Sequence, residues 1–390
     1  MKTLALVESP DHVCCRYRLK AFEPAVRAAG GALIYRRLGS GVERWKSLYQ
    51  ARGHHSVILQ RKLLSGLELN LLRRRSEHLI FDFDDAVLFR DSNDPRGPFC
   101  QRRARRFRQT MRLADLIVAG NDFLADCASR AGAPAHRILV VPTCVDLADY
   151  PVVQGHRGAE PADSVRLVWI GSSSTLQGLE LQADLWRRIG REVPGARLRV
   201  VCDRFPDFHP LPIEEVRWSA ATEAQSLATA DIGISWIPDD LWSQGKCGLK
   251  LLQYQAAGLP VITNPVGVHG EIVEHGKSGY LVNSPEEWLE ATIKLFSDPE
   301  LRRQMGESAR ESVARRYSTA AWAPTVAQAF LNRPPAAQKR MEPRSISNSP
   351  ESGPHRRPLA NRRNLSDPSL PNVADDLRST IGTRIRRNTP

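Results

Sequence analysis

The sequence predicts an α/β protein of two doubly wound, parallel-sheet domains facing a cleft, followed by a disordered tail. Three observations carry this. Short apolar runs, continuous and not alternating, recur through residues 1–332 and read as strands buried on both faces. Longer mixed segments with helical spacing separate them. Aromatic residues stop altogether after Asn332. At about 100–200 residues per domain, a chain of 390 residues holds two or three domains.

Leu4–Val7 opens the first set of strands, so the apolar start that Glu8 ends reads as a strand and not as a secretory signal. Ala32–Tyr35, Ser56–Leu59, Leu79–Phe83, Leu116–Ala119 and Ile138–Val141 follow, with helices expected over Tyr17–Ala29, Gly66–Arg75 and Gln101–Leu113. The polar stretch Gln154–Asp163, with its Gly and Pro, reads as a linker and places the first domain at 1–155. The second set comprises Val165–Ile170, Leu198–Val201, Ile232–Ile237, Pro260–Thr263 and Tyr280–Val282. Helices are expected between them at Leu179–Val193, Thr222–Ala230, Leu249–Ala257 and Glu286–Ser297. The tail, 333–390, holds nine prolines and many Ser, Asn and Arg, and buries too little apolar surface to offset its ordering entropy.

The formal net charge of +12 is unevenly spread. Residues 1–155 carry 25 Lys and Arg against 16 Asp and Glu, residues 156–332 carry 18 against 22, and the tail carries 12 against 5. A basic first part suits an anionic partner or surface. The arginine runs Arg73–Arg75 and Arg102–Arg108 fall there, and they read either as contacts for an anionic membrane or lipid-linked acceptor, or as solvated helix faces. Nucleic acid is disfavoured, because no aromatic stacking platform or recognised nucleic-acid motif accompanies them. No stretch approaches the roughly 20 apolar residues of a membrane span. Seven scattered cysteines without a CxxC pair signal neither zinc nor a disulfide framework, which suits free thiols in a cytoplasmic protein; the basic first part adds the reading of a peripheral place at the membrane's inner face.

In doubly wound folds ligands bind beyond the carboxyl ends of the strands, near helix N-termini. The stretch Ala230–Val282 has this form: a strand, the polar loop Pro238–Gln244, then a helix starting near Gly245–Gly248 and stopped by Gly258 and Pro260. Spacing i, i+4, i+7 puts Lys246, Lys250 and Gln253 on one face of that helix. Two ammonium groups and first-turn N–H groups at one spot suit a phosphate or diphosphate; the plainer reading is a solvated face.

This segment resembles the donor site of GT-B glycosyltransferases, in particular the retaining group 1, or family 4, enzymes. The resemblance rests on Gly248–Leu249, Leu251–Leu252, Ala256, Gly258, Pro260–Val261, Val266–Gly267, Glu271–Ile272–Val273 and Gly276, Gly279, Leu281–Val282. Elsewhere Val168–Ser172 is similar to the family's first donor-domain strand and glycine loop, and Glu215–Trp218 to its base-contacting strand end. Ala114–Val118, Val140–Asp146 and Phe81–Asp85 resemble acceptor-domain segments. The resemblance implies a GT-B fold, with a donor domain over 156–315 and a closing helix over 316–332 that returns to the first domain.

It further implies sugar transfer from a nucleotide-diphosphate sugar to a glycan, lipid-linked or small-molecule acceptor, with retention and without a metal or other cofactor. Lys246 and Lys250 would meet the diphosphate, Gly171 and Ser172 would lie beside it, and Gln253 would meet the ribose. Arg217 and Trp218 would lie near the base, although Trp218 reads more readily as a core residue than as a stacking partner. Glu271 either contacts the ribose or caps a helix. The family's paired glutamates are replaced here by Gly245 and Gln253. Gln253 keeps a carbonyl oxygen, so ribose recognition is expected to weaken and not to vanish.

On the acceptor side, Asp82, Asp84 and Asp85 end a strand. Such a cluster supplies a base, a hydroxyl contact or a metal ligand, or it caps loop N–H groups; Asp84 and Asp85 are the candidate catalytic pair. Arg16 and Arg18 follow the first strand and either approach an anionic group or form an exposed helix start. Two other functions stay open at this level: a sugar-nucleotide epimerase or hydrolase of the same fold, and a catalytically silent binding protein, for which the lost glutamates speak.

Overall fold

Two sheets of six parallel strands each form the frame of the described residues. The computed structural model describes residues 1–152 and 164–332, so the expected linker and tail lie outside the described residues. The first sheet contains β1 (Lys2–Val7), β2 (Ala32–Arg37), β3 (Ser56–Gln60), β4 (His78–Phe83), β5 (Leu116–Ala119) and β6 (Ile138–Val140), in the order β2-β1-β3-β4-β5-β6. The second contains β7 (Val165–Ile170), β8 (Ala196–Cys202), β9 (Ile213–Arg217), β10 (Ile232–Ser235), β11 (Val261–Thr263) and β12 (Gly279–Leu281), in the order β12-β11-β10-β7-β8-β9. Both sheets lie within one compact unit.

The central strands form where the sequence is continuously apolar, because helices cover both faces. β3 is buried throughout and β1 from Thr3 onward. β9 escapes the apolar-run rule. It is an edge strand, IEEVR, whose exposed Glu215 and Arg217 break the pattern. The expected helices Gly66–Arg75 and Gln101–Leu113 form with those bounds. The first is set by a capping box in which the Glu68 N–H donates to Ser65 Oγ and the Ser65 N–H donates to the Glu68 carboxylate. The expected single helix Leu179–Val193 is two, Ser173–Glu180 and Ala183–Glu192, tied where Trp186 Nε1 donates to the Leu179 carbonyl at 2.9 Å.

The helix Thr319–Phe330 joins the first domain's core. Val326 and Phe330 pack with Ala5, Val26 and Ile58, and Thr3 Oγ1 donates to the Phe330 carbonyl at 2.9 Å. A separate apolar cluster joins the domains, with Tyr17, Val145 and Tyr150 packed among Leu251, Tyr254 and Val261. In each sheet the strand order reverses at one point, between β1 and β3 and between β7 and β10. The loops following those strands carry the candidate site.

Candidate functional site

β7 ends at Ile170, and Gly171 and Ser172 lead into the helix Ser173–Glu180. A side chain at Gly171 would lie 2.5 Å from the Trp169 ring and 2.9 Å from the Lys250 ammonium, so glycine is what admits the lysine here. The Lys250 Nζ lies 4.0 Å from the Trp169 ring centroid and donates to Thr175 Oγ1 at 3.3 Å. Burial, with Lys246 nearby, lowers its pKa to about 7. The N–H groups beside it are already engaged. Gly171 N donates to the Val201 carbonyl at 3.0 Å, Ser172 N to Thr175 Oγ1 at 3.3 Å, and Ser173 N to Asp203 at 2.7 Å.

Lys246 does not share a helix face with Lys250. Gly248 takes a left-handed conformation (φ 67) as N-cap, so the helix begins at Leu249 and Lys246 lies in the loop before it. Lys246 instead reaches across to the first domain, 3.6 Å from Asp85 Oδ1. There Arg61 gathers the acidic pair. Its guanidinium contacts the Asp85 carboxylate and Cys14 Sγ, and its Nε lies 3.4 Å from Asp84 Oδ1. Arg61 follows β3 directly and has a positive φ of 58, an uncommon conformation for its type. The rule that loops after strands carry chemistry reaches Arg61, although the residue types alone did not mark it.

The loop Gly245–Cys247 lies directly on the first domain. Asn121 Nδ2 donates to the Gln244 and Lys246 carbonyls at 3.2 and 3.1 Å, and Cys247 Sγ donates to the Asp84 carbonyl at 3.3 Å. A Cβ on Gly245 would stand 2.6 Å from Ala86 Cβ and 2.8 Å from Ala86 N. This close approach leaves no room for the glutamate the family places at this position. Gly245→Glu should therefore spread the two loops and lower stability by about 1–3 kcal/mol without raising activity. Thermal melting and small-angle scattering would check this, and an undisturbed Tm would refute it.

Gln253 is buried, and its amide nitrogen is committed. It donates to Tyr17 OH at 3.0 Å and Tyr150 OH at 3.1 Å, while Tyr17 OH donates to Glu223 Oε1 at 3.0 Å. A glutamate at 253 would compete with Glu223 for the Tyr17 proton and put two carboxylates into one buried network. The amide removes that conflict. Glu223 also accepts from Arg16 Nη2 at 2.8 Å and Trp218 Nε1 at 3.0 Å. Tyr150 and Glu223 carry no sequence signal; only the fold brings them to Gln253.

Three expectations need correction. Arg18 and Asp82 do not present themselves to the cleft. Both are buried, and Arg18 Nη2 donates to Asp82 Oδ1 at 2.6 Å, while Nη1 donates to the Val141 carbonyl at 2.9 Å. The reading of Trp218 as core fails, since it is 41% exposed, with its Nε1 donating to Glu223. Arg16 is tied to the donor domain through Glu223 and is not a free acceptor-side cation. Arg217 stands exposed at the end of β9. Glu271 is exposed on the short helix His269–Ile272. Its pKa is raised by desolvation and by Asp122 of the first domain.

Two facing doubly wound domains, with switch-point loops meeting between them, define the GT-B fold. Residues 242–312 match the family model described as glycosyl transferases group 1, so the chain carries that family's segment over its donor-side loop and helices. Among curated relatives, N-acetyl-alpha-D-glucosaminyl L-malate synthase of Bacillus anthracis is 43% identical over 72 residues, 18% of this chain and 19% of that protein. D-inositol 3-phosphate glycosyltransferase of Corynebacterium glutamicum is 43% identical over 83 residues, 21% of this chain and 19% of that protein. The chain thus spans about a fifth of the length of these relatives. Sucrose-phosphate synthase from Thermosynechococcus elongatus superposes with a TM-score of 0.68 at 16% identity, over 85% of this chain and 98% of that one. Anabaena Alr3699/HepE in complex with UDP-glucose does so with a TM-score of 0.62 at 14% identity, over 85% and 100%.

Proposed function

We propose that this chain transfers a sugar from a nucleotide-diphosphate sugar to an acceptor hydroxyl, with retention at the anomeric carbon. The observation that carries this is the convergence of Lys250 and Lys246 with the Gly171 turn at the β7/β10 switch point. As the bond from the anomeric carbon to the diphosphate breaks, its electron pair passes to a diphosphate oxygen. Two ammonium groups and the first-turn N–H groups of the helix Leu249–Ala256 are placed to stabilise that charge. The acceptor oxygen bonds to the same face. Its proton leaves with the diphosphate, while Asp84 and Asp85, gathered by Arg61, serve to hold the hydroxyl. Basic groups neutralise the leaving group, so the reaction needs no metal, and a chelator should leave the rate unchanged.

Gln253, Trp218 and Arg217 line the nucleoside end in this reading. The acceptor-side domain faces an anionic membrane surface on the cytoplasmic side through its arginine runs. UDP-glucose is the first donor to test, because HepE was crystallised with it. L-malate and D-inositol 3-phosphate, which the relatives' names contain, are the first acceptors. Purified protein should release nucleotide diphosphate only when an acceptor is present, with the sugar's mass added to that acceptor. Donor conversion without acceptor, or no turnover across a full donor and acceptor panel, would refute the reading.

A further inference from the structure

Ten large apolar side chains stand exposed among the described residues, and four of them share one place. Val42 (72% exposed), Trp45 (40%) and Tyr49 (52%) recur at i, i+3 and i+7 along the helix Gly41–Tyr49, opposite buried Ser47 and Leu48. Leu67 (78%) opens the exposed side of the helix Gly66–Arg75, whose other side buries Leu69 and Leu72. Two ties hold these helices parallel and side by side. Arg44 Nη1 lies 3.3 Å from Glu68 Oε1 at their N-terminal turns, and the Arg75 guanidinium lies 4.0 Å from the Tyr49 ring centroid at their C-terminal turns. The four side chains therefore make one outer surface, with Val42 and Leu67 at one end and Tyr49 at the other.

We infer that this helix pair is a docking surface for an anionic phospholipid bilayer. Lys46, Arg52 and Arg74 are exposed here without a carboxylate partner among the described residues, against exposed Glu43 and Glu77. A surface that offers Lys46, Arg52 and Arg74 and whose centre holds Trp, Tyr, Val and Leu matches an interface in which headgroups meet those cations and the acyl boundary takes the rings. In a parallel α/β domain helix N-termini lie at the carboxyl ends of the strands, so the Val42–Leu67 end stands on the side of the sheet that carries the cleft loops. Docking there brings the cleft mouth to the bilayer. The inference rests on the peripheral contact proposed above and locates it: apolar side chains form its centre, and Arg74, of the run Arg73–Arg75, is among its cations.

Sedimentation of the full chain with vesicles tests it without donor or acceptor, so its outcome is separate from that of the transfer reaction. The chain should sediment with vesicles of equal parts phosphatidylcholine and phosphatidylglycerol, hardly at all with phosphatidylcholine alone, and less as salt rises. Val42→Ser/Trp45→Ser/Leu67→Ser should lower partitioning at least about tenfold. Lys46→Gln/Arg74→Gln should lower it about 25-fold, about fivefold per cation. Leu181→Ser, at an exposed site of the second domain, should change nothing. All these positions are exposed, and unchanged melting of the variants confirms that loss of binding is local. The inference is overturned if the triple serine variant sediments like the parent, or if the parent ignores anionic vesicles. It is equally overturned if the serine substitutions abolish self-association in sedimentation velocity and nothing else, which would make the occupant a second copy of the chain.

Discussion

Replacing Lys250 by Met should cut kcat/KM for the donor by about 100- to 1,000-fold and, at neutral pH and below, make the protein harder to unfold. Both effects come from one placement. The ammonium is packed between the Trp169 ring and the Gly171 turn, and burial, with Lys246 close by, lowers its pKa from 10.5 to about 7. Charging a group that the folded state prefers neutral opposes folding. The penalty is complete below the folded pKa of about 7, fades as pH rises from 7 towards 10.5, and is gone above it. Methionine keeps the packing and removes the penalty, so the stabilisation should be largest below pH 7 and vanish in strong alkali. Thermal melts across that range would read it. Activity runs the other way. A diphosphate supplies the missing counter-charge, so only the protonated lysine captures donor, and kcat/KM should fall as pH rises through about 7. Within the complex the bound diphosphate raises the lysine pKa, so kcat should hold to higher pH. A methionine variant with unchanged turnover would remove Lys250 from the site.

Such a lysine can be found in the sequence, but its partners cannot. The strands were legible because parallel sheets covered on both faces demand continuous apolar runs, and the half-polar edge strand β9 broke the rule for that same reason. The donor-side loop was legible because glycines and lysines cluster in one short stretch. What spacing could not give was where the helix starts. Lys246, Lys250 and Gln253 fall at helical intervals, yet Gly248 turns left-handed and releases Lys246 to reach Asp85 in the other domain. Gln253 looked like a weakened ribose ligand. Its surroundings, Tyr17, Tyr150 and Glu223, come from distant parts of the chain, and only with them in place does an amide fit better than a carboxylate. Gly245 likewise looked like a lost catalytic group. It is the point where one domain's backbone touches the other's.

Asp82 shows the same limit with the largest expected effect on stability. Asp82→Asn should lower stability by about 3–5 kcal/mol, a fall in Tm on the order of 10 °C, because it leaves the Arg18 guanidinium buried without a counter-charge. Arg18 Nε and Nη2 both donate to the carboxylate, and Gln60 Nε2 donates to its other oxygen at 3.1 Å. Burial works against the Arg18 charge, and the adjoining Asp82 outweighs it, holding the guanidinium more firmly protonated than usual. The two residues are 64 positions apart, so the sequence offered each as a free cleft group. An acceptor ligand and a buried ion-pair partner predict different outcomes. If Asp82 met the acceptor, Asn would raise the acceptor KM at any temperature and leave Tm nearly intact. As the counter-ion of Arg18, it should leave kcat and KM within about twofold well below the melting point. Replacing both partners, Arg18→Met with Asp82→Leu, should recover most of the lost stability, because removing a buried pair together is far less disruptive than removing one member. Melting curves of the two single variants and the double variant supply the cycle. A double variant no more stable than Asp82→Asn would mean that Asp82 acts through something other than Arg18.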